Sequence, residues 1–93
     1  MKFDWDPAKA GENVKRHDVS FDEATTVFFD ELAKVAADPD HSDDEDRFII
    51  VGFSSRHRHL LVVHCYRDRD EVIRLISART LTKKERKKFE EGL

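Results

Sequence analysis

Residues 48–78 read FIIVGFSSRHRHLLVVHCYRDRDEVIRLISA. Three apolar, β-rich runs stand out in it: Phe48–Phe53, Leu60–Tyr66 and Val72–Ala78. Val, Ile, Phe and Tyr pack well on a pleated surface, and each run has the length of an ordinary strand. The first run shows no polar alternation, as expected of a strand covered on both faces. Two polar connections, Ser54–His59 and Arg67–Asp70, separate the runs. Connections this short favour antiparallel hairpins, because parallel neighbours need a long crossover. The stretch predicts the antiparallel centre of a small sheet.

On the N-terminal side, Leu32–Ala36 supplies a further strand, and Lys2–Trp5 could form a short edge strand. Between them lie two helix signals. Asp6-Pro7 is an N-cap followed by proline at the first helical position. Trp5 and Ala10 stand at the staple positions of the same helix, which runs to about His17. Asp18 follows, where a left-handed residue is wanted and Asp tolerates that conformation. Ser20 and Glu23 have capping-box spacing and open a second helix to about Asp30, with Phe21, Ala24, Val27 and Phe28 on one face. Beyond the sheet, Thr82 and Glu85 have the same spacing and open a C-terminal helix. The prediction is one α+β domain over residues 1–93: two N-terminal helices, a mainly antiparallel sheet of about four strands, and a C-terminal helix.

A chain of 93 residues can bury one modest core. Seven Phe against three Gly and two Pro argues for an ordered, packed protein. No apolar run approaches the roughly 18 residues of a membrane span. The opening Met-Lys-Phe-Asp-Trp-Asp lacks the apolar stretch of a signal peptide. Cys65 is the single cysteine, which excludes an internal disulfide framework and a cysteine-rich zinc module. A reducing cytoplasm is the expected compartment. The net charge of −3 hides an asymmetry: residues 1–46 sum to −9 and residues 47–93 to +6. A polyanion-facing C-terminal half is one reading, and mutual cancellation in space is the other. The acidic run Asp38–Asp46 has six carboxylates and is expected to be a solvated loop; it lacks the glycine and closing Glu of a calcium loop.

Several residues have chemistry that their strand or helix position does not explain. His64 lies within an apolar strand, where Val62, His64 and Tyr66 would share a face. It either makes a structural hydrogen bond or moves protons. Arg74 sits in mid-strand and must reach solvent, a carboxylate or a ligand. Arg79 ends that strand. Its spacing from Arg74 puts the two on opposite faces unless the strand twists or bulges. Glu85 reads first as a cap. Lys83, Lys84, Arg86, Lys87 and Lys88 read first as a solvated helix face, and they also sit on the basic half near Arg79. Cys65 reads as an inert core thiol, and His57 with His59 makes only a weak metal pair.

The segments Phe3-Asp-Trp-Asp-Pro7, Arg16-His-Asp-Val-Ser-Phe-Asp-Glu-Ala24, Asp46-Arg47, Ile73-Arg-Leu-Ile-Ser-Ala-Arg79 and Lys84-Glu-Arg86 resemble the BrnT family across nearly the whole chain. These are toxins of type II toxin–antitoxin systems. The resemblance implies a RelE-like fold and a ribonuclease activity that blocks translation. It also implies a BrnA-like antitoxin carrying a DNA-binding ribbon-helix-helix module. Such modules dimerise, so the expected complex is a hetero-oligomer with two toxin copies. One departure is the helix end Arg16-His17-Asp18, where the family usually has Lys-His-Gly.

RNA cleavage requires removal of the 2′-hydroxyl proton, stabilisation of charge on the phosphoryl oxygens, and protonation of the leaving 5′-oxygen. The residue types point to a mechanism with no metal and no cofactor. His64 is the expected proton-transfer residue, with Arg74 and Arg79 beside the phosphate. Arg47, Lys83 and Lys84 are expected substrate contacts, and His17 is both a contact and the reserve base. Two other classes stand beside this reading: a non-catalytic protein-interaction module, and a transcriptional regulator. The latter lacks a helix-turn-helix recognition pair, since the first two helices carry mostly acidic surface.

Overall fold

The computed structural model describes residues 1–38 and 46–92, so residues 39–45 of the acidic run lie outside the description. The chain forms β1 (Lys2–Asp4), α1 (Pro7–His17), α2 (Phe21–Thr26), a 3-10 turn (Val27–Phe29), β2 (Lys34–Ala37), β3 (Phe48–Phe53), β4 (His59–Arg67), β5 (Val72–Thr80) and α3 (Lys83–Glu90). The fold is α+β, as the sequence predicts. Among the described residues the sheet has five strands in the order β1-β5-β4-β3-β2, rather than about four. The short edge strand expected at Lys2–Trp5 forms over Lys2–Asp4 and completes the five; it pairs parallel with Val72–Arg74, and the other pairings are antiparallel. A parallel pair between chain ends leaves no local hairpin signal in the sequence.

The helix starts behave as their side chains demand. Asp6 caps α1 through the Ala8 N–H at 2.8 Å, and Asp18 ends it in the left-handed region at φ 55°. Thr82 and Glu85 make both halves of the capping box on α3. At α2 only half the expected box exists. The Ser20 side chain accepts from the Glu23 N–H, but the Glu23 carboxylate turns inward. It is buried and accepts from Ser54 Oγ at 2.6 Å and from both Nε and Nη2 of Arg58. Arg58 also donates to the Asp18 carbonyl. A charge-paired carboxylate gains more from two guanidinium bonds than from one backbone N–H. This network fastens α2 to the β3–β4 turn. The second helix stops at Thr26 and continues as the 3-10 turn to Phe29, next to the expected end at about Asp30.

Alternation along β4 puts Leu60, Val62, His64 and Tyr66 on one face of the sheet and Leu61, Val63 and Cys65 on the other. The helices cover the first face. There Val19, Phe21, Ala24 and Val27 pack on Ile50, Leu60, Val62, Ile73, Leu75 and Ala78 to form the core. Gly52 permits the close crossing of the chain that follows α2: a Cβ there would stand 2.8 Å from that of Ala33. Asp30 uses the approach to accept the Phe53 N–H at 2.8 Å. Helix α1 runs along the edge of β5 that β1 leaves free. Its buried Asn13 bonds both the N–H and the C=O of Ala78, at 3.0 and 2.8 Å, as a neighbouring strand would. Among the described residues the second face is covered only in part, by α3. No helix among the described residues is long and apolar enough to cross a membrane.

Candidate functional site

One irregularity in the sheet assembles the site. Val63 pairs with Ser77, yet His64 pairs with Leu75, so Ile76 is an extra residue on β5. A bulge of this kind reverses the face of everything beyond it. Arg74 therefore lies opposite Cys65 and Arg79 opposite Leu61, both on the partly open face. Without the bulge, a spacing of five would have divided them. Arg47 immediately precedes β3, and alternation from Ile49 sets it on the same side.

Both strand arginines are held by carboxylates. Arg79 makes a two-pronged pair with Glu85, Nη1 to Oε1 at 2.7 Å and Nη2 to Oε2 at 2.8 Å. The guanidinium is the main cause that pulls the Glu85 carboxyl down to about 2, helped by the Thr82 cap. Glu85 is thus a cap and an ion-pair partner at once. Arg74 meets Asp4 at 3.2 Å, where β1 joins β5. Beside Arg79, a groove of about 430 Å³ runs between α3 and the sheet, lined by Val51, Leu61, Val63, Phe89 and Lys88 among others. Lys83 and Lys84 lie exposed in the first turn of α3.

The histidines are distributed differently. His64 is fully buried on the helix-covered face, edge-on to Phe28 with ring centres 4.9 Å apart. Its Nδ1 lies 3.2 Å from the Val62 carbonyl and its Nε2 3.3 Å from the Tyr66 hydroxyl. Burial pushes its pKa down. The sheet itself separates it from Arg74 and Arg79. His17 ends α1 and is exposed. It borders a cleft of about 410 Å³ with Lys9, Glu12, Arg16, Ile76 and Ser77, so it stands at the bulge between Arg74 and Arg79 along β5. His59 stacks flat on Phe53 at 4.2 Å, and burial lowers its pKa. Among the described residues, no three His, Cys, Asp or Glu side chains are grouped to hold a metal ion.

The family model for the ribonuclease toxin BrnT, of type II toxin–antitoxin systems, matches residues 5–85. The chain belongs to the BrnT family. This makes it a ribonuclease toxin by family, with an antitoxin as the partner that a type II system entails. The matched span contains His17, Arg47, His64, Arg74, Arg79, Lys83, Lys84 and Glu85. The fold is similar to that of the Brucella abortus ribonuclease toxin BrnT, whose crystal structure was solved at 1.1 Å. The TM-score is 0.65 at 20% identity, over 89% of this chain and 99% of that one. A comparison with curated proteins finds no match.

Two structural contributors were not legible as such. Nothing near Asn13 in the sequence marks it out, and only its placement on a free strand edge reveals its pairing role. Glu23 looked like half of a capping box. The Arg58 in the β3–β4 turn was the remaining signal, but nothing local links residues 35 apart.

Proposed function

We propose that this BrnT toxin cleaves RNA without a metal ion and thereby stops translation, binding the RNA across the open face and the bulged edge of β5. The bulge carries the proposal, because it sets Arg74 and Arg79 on one face beside the lysines of α3. Glu85 occupies the Arg79 fork as two phosphate oxygens would. Phosphate binding then requires Glu85 to swing aside, and Arg74 to exchange Asp4 for substrate. Arg47, Lys83 and Lys84 extend the phosphate path.

The open arrangement favours His17 over His64 as the proton-transfer group. His17 reaches solvent at the bulge, whereas His64 is shut in the core. In this scheme His17 takes the 2′-hydroxyl proton. The 2′-oxygen bonds to phosphorus, the bond from phosphorus to the 5′-oxygen breaks, and the proton passes to that oxygen. Arginine forks stabilise the charge developing on the phosphoryl oxygens. Cleavage should persist in a strong chelator, and its loss there would contradict metal independence.

The partner in this reading is a BrnA-like ribbon-helix-helix antitoxin in a complex with two toxin copies, in the cytoplasm. The layout of helices and sheet is read as RelE-like. Expressing the toxin alone should arrest growth with RNA fragmentation, and co-expressing a small protein from the adjacent gene should restore growth. Intact RNA in arrested cells would contradict the ribonuclease mechanism. Light scattering on the co-purified complex measures its stoichiometry.

The basic helix offers a quantitative check. Each phosphate neutralised on a single strand contributes about 0.7 to the slope of log affinity against log salt. Replacing Lys83, Lys84, Lys87 and Lys88 together with Gln should flatten that slope in RNA binding. An unchanged slope would make α3 a merely solvated face and shift the contacts toward Arg47 and Arg74.

Acid should loosen the same region. The Glu85 carboxyl is ordinarily near 4.5 and falls to about 2 in the fold. Glu23 is also lowered, chiefly by its Arg58 hydrogen bonds. A depressed carboxylate contributes stability that is full above its unfolded pKa and lost as pH falls toward the folded one. The melting temperature should therefore decline as pH drops from about 4.5 toward about 2. Glu85→Gln should make that decline shallower. An identical decline in Glu85→Gln would show that the Arg79 pair is not coupled to stability.

A further inference from the structure

We propose that two copies of this chain pair antiparallel through the outer edge of β2, centred on Ala36, to join their sheets. Strand β2 is last in the sheet order, so among the described residues one of its edges has no strand neighbour. The Asp38 N–H donates to the Arg47 carbonyl at 2.9 Å. That bond sets the phase of the ladder: Lys34 and Ala36 bond inward to β3, while Val35 and Ala37 direct their N–H and C=O groups outward. The Phe53 N–H, which leaves β3 on the β2 side to reach Asp30, agrees with this phase.

An unpaired edge is a template for another strand, and proteins usually blunt it with charge, proline or a bulge. Here the edge carries one lysine and two alanines, with Val35 54% exposed. A two-fold axis normal to the sheet can pass beside either of the two central residues of β2, Val35 or Ala36. Centring on Val35 would require the Ala33 N–H, which already donates to the Asp30 carbonyl at 3.0 Å. Centring on Ala36 uses both outward residues of each copy and makes four backbone hydrogen bonds, between Val35 and the partner's Ala37 in each direction. It opposes Ala36 to the partner's Ala36 at a non-hydrogen-bonded position, where strands approach most closely and small side chains fit.

Charge agrees with the same register. Lys34 falls opposite the partner's Asp38, which is 9% exposed in the single chain, twice, and no like charges oppose one another. Both residues are on the open face: the Lys34 ammonium lies 5.4 Å from the Phe89 ring centre, and Asp38 lines the same groove. The axis keeps faces together, so the two open faces would adjoin.

The register makes a covalent test available. Cys65 is buried, so a new edge thiol is the reactive one. Residues opposed across the axis have a Cα separation within disulfide reach. Under mild oxidation, Ala36→Cys should give a disulfide-linked dimer, and Val35→Cys, which faces the partner's Ala37, should not. Cross-linking by Val35→Cys alone would overturn the register, and cross-linking by neither would overturn the pairing. Hydrogen exchange on the unaltered chain is the second arm. The amides of Val35 and Ala37 should gain at least about tenfold protection as toxin concentration rises through dimerisation. Protection independent of concentration, or appearing only when the antitoxin is added, would overturn the proposal.

Discussion

Replacing His17 with glutamine is expected to slow RNA cleavage by about 10²-fold or more while the protein stays folded. The side chain is exposed at the end of α1, so glutamine disturbs no core packing. What the substitution removes is a group able to accept and return a proton. The matching variant in the core, His64→Gln, should behave in the opposite way. It replaces a fully buried ring that Phe28, Phe48 and Tyr66 surround, so its main effect should be a loss of stability of about 1–3 kcal/mol. Cleavage per folded molecule should survive. Single-turnover rates, measured together with thermal melts, separate the two outcomes. A folded His17→Gln protein that cleaves at the parental rate would remove His17 from the chemistry.

The second large effect is on folding. Glu23→Ala should destabilise the protein by about 3 kcal/mol, the order seen when one partner is taken from a buried ion pair. The Glu23 side chain is 4% exposed and that of Arg58 29%. Alanine would leave the guanidinium partly buried and the Ser54 hydroxyl without its acceptor. It would also free the β3–β4 turn from α2. Chemical denaturation reads the loss directly. Glu23→Gln is the useful comparison, since it keeps hydrogen-bond acceptance but not charge, and should cost less. Equal stability of Glu23→Ala and the parent would mean that the network adds nothing to the fold.

Much of the architecture was legible because its signals are local. The three central strands, the caps at Asp6 and Thr82, and the left-handed Asp18 each follow from a few neighbouring residues. The features that misled or escaped depend on distant partners. The parallel β1–β5 pair joins opposite ends of the chain. Glu23 chose Arg58 over its own helix terminus. The bulge at Ile76 leaves no distinctive residue behind, since Ile-Ser-Ala is an unremarkable strand sequence, yet it decides which face Arg79 occupies. For the candidate site, the sequence singled out Arg74 by its misfit in mid-strand and the lysines of α3 by their place on the basic half. It could not say that His64 and the arginines lie on opposite sides of a sheet, because one residue of register separates those two arrangements.

Arg79→Lys tests the role of the open face most directly. The substitution keeps the charge and removes the planar fork that Glu85 now fills. In single-turnover RNA cleavage, with folding verified by thermal melting, the rate should fall at least about tenfold, as expected when a bidentate phosphate contact is reduced to a point charge. Cleavage by a folded Arg79→Lys protein at the parental rate would contradict phosphate binding by this fork.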